Sequence, residues 1–341
     1  MSLPAVVAAV ILVALMVYLL TGGADYGGGV WDLLARGPRK AAQRKLIART
    51  LAPIWEANHV WLILVVVLLF VCFPPAFAAL STALHVPLTL MLIGIVLRGS
   101  AFVFRAYDPA IKDRTTGGWQ RTFAVASAVT PVMLGVTLGA VTSGSIRLDP
   151  ETGRVATDFL SEWFAPYPFA VGALTLTLCA MLAASYLTLE TDDLELQEDF
   201  RRRALLSAPL VAGIAWATLL LAREGAPALH AALTGSSWAL PFQVGVGLVG
   251  GVSVGLMWTR RYALARAAYA AQAVLIVLGL GAAQYPYLLA GSMTFEAAAA
   301  PDVVLRPVLL ALGAGSLILL PAFVWLYRVF RGPDRPVARG D

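Results

Sequence analysis

One stretch of the chain places ionisable and polar side chains at the mouth of an apolar run. Glu56, Asn58 and His59 stand within Leu51–Leu62, and the hydrophobic segment that they open continues to Phe73. Carboxylates and imidazoles can take up, hold and release protons, and ionisable groups inside a membrane mark proton or ion pathways. Glu56 and His59 are three residues apart and share one helical face, whereas Asn58 points elsewhere and should bond a neighbouring helix. The stretch predicts a proton relay, although for His59 a satisfied buried histidine is the simpler interpretation.

Two further ionisable residues should lie at a similar depth. Asp25 precedes the next basic loop by about ten residues, or ~15 Å of helix, and Arg98 lies ~10 Å along its helix from Arg105. A guanidinium inside a membrane needs a partner, and Glu56 or Asp25 is the nearest candidate. Two hypotheses stay open: a structural ion pair that fixes the helix register, and a proton route from the inner surface through Glu56.

Glycines are the second conspicuous feature. The segment Gly22–Gly29 contains Gly23 and Gly27, whose spacing lets another helix approach closely, and a later helix repeats this spacing at Gly247, Gly251 and Gly255. So many glycines destabilise an isolated helix, so the first helix should have either a tight contact or a break. A glycine-broken helix beside buried charges is also typical of secondary transporters, which are therefore the alternative class, although no clear internal repeat supports them.

The composition defines the elements that must position these residues. The chain has 341 residues, 59% of them hydrophobic, a mean hydropathy of +0.78 and 13% charged residues, which is about half the share in soluble domains. We predict an all-α polytopic membrane bundle, one domain over residues 1–330, with a disordered cytoplasmic tail at 331–341. The nine predicted spans cover residues 4–22, 55–80, 82–104, 119–142, 163–188, 203–222, 238–257, 264–289 and 304–328. The boundary near Phe73–Pro75 is the weakest, because almost no polar loop separates the two spans.

The basic residues set the orientation. With the amino terminus outside and the carboxyl terminus inside, 20 of the 25 Lys and Arg residues fall in inner segments and four in outer ones, as the positive-inside rule requires. The net charge of +5 therefore reflects short loops and does not indicate nucleic-acid binding. The acidic outer loop 143–162 and the inner loop 189–203 are interpreted as solvated connectors.

The sequence offers little to hold a haem or a metal. Its histidines, His59, His85 and His230, fall at different predicted depths, so no two of them suit the paired axial ligands of one haem. The seven methionines leave a His/Met site open, but nothing singles one out. Cys72 and Cys179 lie in apolar runs without metal-type spacing. We expect no cofactor, haem or metal bound by this chain.

Three segments carry a family resemblance. Gly22–Gly29 resembles the D-G-F-D-x-G-x-G segment of subunit II of cytochrome bd-type quinol oxidases, with Ala24 where many relatives have Phe. Pro53–Leu62 resembles the P-x-W-[DE]-x-N-x-V-W-L segment of that family, and Leu97–Arg105 resembles its R-x-x-x-F-x-x-R pattern. Tyr167–Phe169 and Tyr285–Tyr287 fall where the family has Pro-aromatic signatures, so the matches run over most of the chain in order.

The resemblance implies a heterodimeric respiratory oxidase in the bacterial cytoplasmic membrane that oxidises a membrane quinol and reduces dioxygen to water. The haem-bearing subunit I would hold haems b and d and the quinol site, a small single-span accessory subunit is a further partner, and this chain would form two four-helix bundles plus one peripheral helix. The family role in proton access carries over to Glu56, with Asp25 and Arg98 as network members. His59 extends this pathway only on the strength of its own position and chemistry. The sequence does not distinguish ubiquinol from menaquinol, nor cyanide sensitivity, and it leaves open whether a quinone or lipid is bound.

Overall fold

The computed structural model describes residues 2–51, 55–107, 116–149, 152 and 155–330. The helices are α1 (Leu3–Leu33), α2 (Lys40–Leu51), α3 (Trp55–Cys72), α4 (Pro74–Ala83), α5 (His85–Tyr107), α6 (Thr116–Ser143), α7 (Pro166–Leu187), α8 (Leu194–Gly225), α9 (Pro227–Gly235), α10 (Ala239–Trp258), α11 (Tyr262–Gln284), α12 (Phe295–Ala298) and α13 (Asp302–Phe330). The strands form two antiparallel hairpins, β1 (Arg147–Leu148) with β2 (Val155–Ala156) and β3 (Tyr287–Leu289) with β4 (Met293–Thr294).

The helices confirm the prediction of a polytopic all-α membrane protein. Within the described ranges, eight helices are long and apolar enough to cross a membrane, and the bent pair α3–α4 makes a ninth if it counts as one span. Apolar side chains cover much of the outward surface of these helices, as expected of a surface that meets lipid or another membrane protein.

The spans form two packed groups. One core is shared by α1, α3, α4 and α6, with α5 against α6, and it contains the buried Leu68. The second core is shared by α7, α8, α10 and α11 and contains the buried Met181. Helix α13 is peripheral, since none of its most apolar stretch is buried, although its Leu305 is buried in the first core. It contacts α3 through Trp61 and Phe323, whose rings stack with centroids 5.5 Å apart. This is the arrangement of two four-helix bundles and one peripheral helix.

Glycines join the two bundles along α6 and α7. A Cβ built on Gly135 would lie 2.7 Å from the Cα of Gly172, and one built on Gly139 would lie 2.6 Å from the Cα of Pro168. Real Cβ atoms do not approach backbone atoms so closely, so larger residues would push the two helices apart. Small residues therefore allow the backbones to meet where no aqueous hydrophobic effect drives association.

The predicted span 55–80 is wrong from residue 73 onwards. Helix α3 ends at Cys72, and the chain bends by 118° before α4. The cause is local, because Pro74 and Pro75 lack the N–H groups that would continue α3 but suit the first turn of a new helix. The weak boundary at Phe73 was predicted, but residues 74–83 form a separate short helix and not the end of the span.

The predicted connectors also contain helices. We call the end of the bundles where α1 ends and α3 begins the basic end. There, residues 40–51 form α2, and α8 begins at Leu194, capped by the Asp193 side chain, so the interpretation of 189–203 as a solvated loop is wrong from 194 onwards. Arg39 ties these elements together, with Nη2 2.6 Å from Asp199 and Nη1 3.0 Å from Glu195. The hydrogen bonds to Asp199 raise the pKa of Arg39 above its ordinary value.

Other boundaries differ in the same manner. Helix α1 continues to Leu33 through the glycine-rich segment, and α9 follows α8 where a loop was expected. The outer connector 143–162 is not wholly solvated, because Glu162 is only 3% exposed, and Ser145 donates a hydrogen bond to its carbonyl. The predicted tail 331–341 lies outside the described residues.

Candidate functional site

Asp25 and Asn58 form the buried centre of the polar layer near the basic end. The Asn58 amide nitrogen donates a short hydrogen bond to Oδ2 of Asp25, which joins α3 to α1. Asn58 is 1% exposed and Asp25 is 6% exposed, so the carboxylate is held among protein groups rather than in solvent. A charge-assisted hydrogen bond of this kind contributes more than a neutral one. The prediction that Asn58 bonds a neighbouring helix is confirmed.

Glu56 is separated from that centre. Its side chain is exposed, at the start of α3, and does not point into the bundle. One outward stripe of α3 continues from it at helical spacing, through Val60, Ile63, Val67 and Phe70, all of them exposed. We call these five residues the α3 stripe. A carboxylate at the head of an apolar stripe is free to face lipid, solvent or another chain at this end of the molecule.

His59 faces the interior instead. Its Nδ1 lies 3.3 Å from the hydroxyl oxygen of Tyr18, and that oxygen lies 2.9 Å from the hydroxyl oxygen of Tyr26. The His59 ring also packs against both tyrosine rings, with centroids 5.9 and 6.2 Å away. His59 is therefore a partly buried, hydrogen-bonded side chain, and two tyrosines that the sequence interpretation missed belong to its surroundings.

Arg98 lies buried against two aromatic rings. It is 3% exposed, and its guanidinium carbon lies 4.9 Å from the ring centroid of Tyr26 and 5.4 Å from that of Phe123. Among the described residues, its Nε has no hydrogen-bond partner. Aromatic faces attract a desolvated guanidinium, so the two rings help to stabilise the buried charge.

The glycine-rich segment of α1 has a tight contact and no break. A Cβ built on Gly27 would collide with the Cys179 carbonyl of α7 and would lie 2.7 Å from the Cβ of Ala183, and one on Gly23 would lie 3.3 Å from the Cys179 sulfur. On another side of α1, a Cβ on Gly22 would lie 2.8 Å from the Tyr18 ring. Gly23 and Gly27 therefore pack α1 against α7 inside the chain.

The second glycine stripe behaves differently. Nothing lies within 4 Å of a Cβ built on Gly247, Gly251 or Gly255 of α10. The predicted helix packing is thus not made by the described part of this chain. The neighbouring residues on this helix, such as Leu248 and Val252, are also exposed.

A third carboxylate, Asp32, completes the layer at the basic end. It is 1% exposed, and the nearest atoms include Nε of Arg44, 3.8 Å from Oδ1, and Nε2 of Gln120, 3.4 Å from Oδ2. The sequence contained a signal for this residue, because Asp32 follows Asp25 by seven residues and must share its face of α1. Two buried carboxylates therefore stand two turns apart on α1, Asp32 next to the basic end and Asp25 beside Tyr26.

The three histidines lie on different elements of the structure. His59 packs against tyrosines near the basic end, His85 opens α5 at the opposite end with its ring against Phe159, and His230 lies in α9. Among the residues that the structure describes, no group of three His, Cys, Asp or Glu side chains could hold a metal ion. These three histidines therefore do not face one another across a common cavity.

The fold and this layer define a class: a polytopic helical membrane protein with buried carboxylates and hydroxyls at one end of its first bundle. The sequence model of the family described as cytochrome bd terminal oxidase subunit II matches residues 3–330. The chain therefore belongs to that family.

Individual relatives agree with this assignment. The chain is 26% identical over 212 residues to cytochrome bd ubiquinol oxidase subunit 2 of Bacillus subtilis, covering 62% of this chain and 59% of that relative. It is 22% identical over 341 residues to the putative cytochrome bd menaquinol oxidase subunit II of the same organism, covering 95% and 94%. The fold matches a chain of the bd oxidase structure from Geobacillus thermodenitrificans with a TM-score of 0.81 and 23% identity, covering 97% and 99%.

Proposed function

We propose that this chain is the haem-free subunit II of a bd-type quinol oxidase in the aerobic respiratory chain of a bacterial cytoplasmic membrane. The complex oxidises a membrane quinol and passes the electrons to dioxygen, which is reduced to water. Family membership over residues 3–330 supports the activity. This subunit supports a haem-bearing subunit I and supplies it with protons from the cytoplasm.

The redox chemistry belongs to the partner on the grounds of the donor set. Haems b and d supply electron transfer and oxygen binding in the complex, and they need axial ligands that this chain does not bring together. His59 is engaged with Tyr18 and Tyr26, and the other two histidines stand on different elements. The residues of this chain therefore act on protons and on assembly.

The single observation that carries the proton role is the position of Glu56. An ionisable group at a membrane surface of this kind carries a free-energy penalty unless it faces water or a partner. Glu56 heads the exposed α3 stripe and turns away from its own bundle. We place subunit I against the α3 stripe, so that Glu56 lies at the interface and passes protons from the cytoplasmic side to the oxygen-reducing site.

Orientation supports a cytoplasmic source. The positive-inside rule assigns the basic end, with Arg39, Arg44 and Arg203, to the cytoplasm and the amino terminus to the outside. Glu56, Asp25 and Asp32 then lie near the cytoplasmic surface. Asp25 and His59 belong to the same polar layer. Arg98 packs over the Tyr26 ring and so positions the aromatic side chains of this layer.

The observation that favoured a secondary transporter, a break in the first helix, is not found in α1. Helix α1 is continuous through Gly22–Gly29, so no helix break stands beside the buried charges. The sharp bend of the first bundle, between α3 and α4, lies at the end opposite to Asp25. A solely structural scaffold differs from the proposal only in whether Glu56 affects the rate.

The test is a set of Glu56 variants in the purified two-subunit complex. Glu56→Gln keeps the size of the side chain and removes the carboxyl group that takes up and releases a proton, whereas Glu56→Asp keeps a carboxylate. The control is Glu224→Gln, which removes an exposed carboxylate at the opposite end of α8. We expect Glu56→Gln to slow quinol-driven oxygen consumption by on the order of 10²-fold, the lower end of the effect of proton-transfer groups. Haem spectra should stay normal.

The outcomes separate the hypotheses. Wild-type turnover in Glu56→Gln would remove the proton role and leave a scaffold. Lost haem absorbance would assign Glu56 to assembly. Slow turnover with normal haem spectra in Glu56→Gln, partial recovery in Glu56→Asp and normal turnover in Glu224→Gln would support the proposal.

A further inference from the structure

His59, Tyr18 and Tyr26 form a chain of three hydrogen-bonding groups, in which the two tyrosines have no role in the function proposed so far. Both phenols are 2% exposed, their oxygens are 2.9 Å apart, and His59 Nδ1 is 3.3 Å from the Tyr18 oxygen. The groups come from two helices, α1 and α3. They form a continuous line of exchangeable protons inside the first bundle.

The local geometry requires a special arrangement of α1. Tyr18 and Tyr26 are eight residues apart, or about 12 Å along a helix, so their hydroxyls meet only if a ring folds along the helix axis. Gly22 allows this, because a Cβ there would lie 2.8 Å from Cε2 of the Tyr18 ring. The sequence thus places a residue without a side chain where the ring of Tyr18 must lie.

Packing alone does not call for these hydroxyls. Phenylalanine has the same shape and does not carry a hydroxyl whose burial costs free energy unless it is hydrogen-bonded. The rings are fixed from other sides as well, since Arg98 lies 4.9 Å over the Tyr26 ring and the two tyrosine rings meet edge to face at 6.4 Å. The oxygens therefore add hydrogen bonding to a site that aromatic carbon would fill.

A hydroxyl can donate one proton while it accepts another, and neutral imidazole accepts at one nitrogen and donates at the other. A proton that arrives at the Tyr26 oxygen from cytoplasmic water would release the Tyr26 proton to Tyr18. Tyr18 would in turn release its proton to Nδ1 of His59. His59 would pass the proton on Nε2 through water to the Glu56 carboxylate, which becomes the neutral acid until it gives that proton to the partner's site. Every group keeps its number of protons once the rings return to their starting hydrogen bonds.

We propose that Tyr26, Tyr18 and His59 form a proton relay that brings protons from the buried polar layer to α3, one helical turn from Glu56. The inference deepens the proposed function and rests on it, because the protons are useful only if the complex consumes them at the partner's site. It assigns a proton-transfer role to two tyrosines that lie inside the bundle, away from the exposed stripe of α3 on which Glu56 lies. Arg98 is a positioning residue for the Tyr26 ring.

The experiment uses the complete complex with Tyr18→Phe, Tyr26→Phe and His59→Gln. Each tyrosine variant removes one oxygen and keeps the ring. His59→Gln keeps a hydrogen-bonding side chain beside Tyr18 but removes the imidazole that can exchange protons between two nitrogens. The matched control is Tyr167→Phe, a buried tyrosine whose hydroxyl lies 2.9 Å from Thr142 Oγ1, away from the relay. Haem absorbance of every variant reports assembly.

Turnover and its solvent isotope effect are measured in H2O and D2O with excess quinol. We expect each relay variant to lose roughly tenfold in turnover, less than a sole proton-transfer group, because Glu56 still meets cytoplasmic water. The isotope effect should increase in these three variants, which a packing defect would not cause. Tyr167→Phe should match the wild type in both measurements.

The failure of this inference is distinguishable from the failure of the Glu56 proposal. Wild-type turnover in Tyr18→Phe and Tyr26→Phe together with slow Glu56→Gln would overturn the relay and leave the proposed function intact. Slow relay variants with an unaffected Glu56→Gln would keep the relay and remove Glu56. Equal activity of His59→Gln and wild type would overturn the part of His59, and loss of haem in all three variants would make the cluster structural and overturn the relay.

Discussion

The contact between α1 and α7 gives the sharpest prediction about stability. In Gly27→Ala, the new methyl group would collide with the Cys179 carbonyl and would lie 2.7 Å from the Cβ of Ala183. Alanine improves the helix by about 1 kcal/mol, but overpacking against backbone costs about 3 kcal/mol, the upper end for core insertions. The net loss is ~2 kcal/mol. Gly251→Ala is the matched variant, because nothing lies within 4 Å of its Cβ, and the helix gain of up to ~1 kcal/mol remains.

The assay is thermal unfolding of the purified complex in one detergent, followed by protein fluorescence and haem absorbance. Gly27→Ala should unfold at a lower temperature than the wild type, and Gly251→Ala at the same or a higher temperature. Wild-type stability of Gly27→Ala would refute the close α1–α7 contact. A loss of stability in Gly251→Ala would show instead that a helix of another chain, such as a single-span accessory subunit, packs on the open stripe of α10.

Two further predictions concern single hydrogen-bonded carboxylates. Asn58→Ala removes the donor to buried Asp25 and should lower the free energy of unfolding by about 1.5–3 kcal/mol, as for hydrogen bonds to charged groups. Asn58→Asp should lower it further, because two carboxylates would repel each other. Chemical denaturation measures both variants, and an unchanged free energy of unfolding in Asn58→Ala would contradict the contact. Outside the membrane, hydrogen bonds from the Ser161 and Leu160 backbone N–H groups and the Ser161 hydroxyl hold the pKa of Asp158 below its ordinary value of 3.8. A lowered folded pKa stabilises the loop above about pH 4 and less as the pH falls through that pKa. Pepsin should therefore cleave the wild-type loop more slowly than the Asp158→Ala loop at pH 4, and this difference between the two proteins should shrink at pH 2.

Much of the fold could be predicted because lipid imposes simple rules. Apolar stretches of about 20 residues and the position of basic residues located most spans and the common basic end. The same charges concealed α2, since Arg44 and Lys45 were counted as loop residues, whereas Leu46 and Ile47 on the other side of this helix are buried. The extra helix at residues 74–83 depended on how Pro74 and Pro75 restart a helix after a sharp bend, which span counting does not capture.

The site was predicted in composition but not in pairing. Depth along the spans correctly brought Asp25 and the Glu56–His59 stretch to one end of the bundle, but depth does not decide which side of a helix meets which neighbour. Asp25 pairs with Asn58, Glu56 faces outward, and aromatic rings surround Arg98. Pairing by charge alone did not anticipate these contacts, because it counted neither side-chain amides nor aromatic rings as partners.

Tyrosines were the residues that sequence reasoning missed. Tyr18 lies in an apolar run, where an aromatic residue is ordinarily packing, and Tyr26 lies among glycines that suggested only helix contact. The sequence signal was the combination of Tyr18 with Gly22, because Gly22 lies one turn after Tyr18 and leaves space for its ring. A tyrosine followed at four residues by glycine is compatible with a ring that lies along its own helix, as it does here.

The central claim is that Glu56 supplies protons to the oxygen-reducing partner. The most direct measurement is the rate of proton uptake, followed with a pH-indicating dye, when the fully reduced complex is mixed with oxygen in a single turnover. The account predicts that Glu56→Gln slows proton uptake by on the order of 10²-fold while electron transfer between the haems begins at the normal rate. Proton uptake in Glu56→Gln at the rate of the wild type would contradict it.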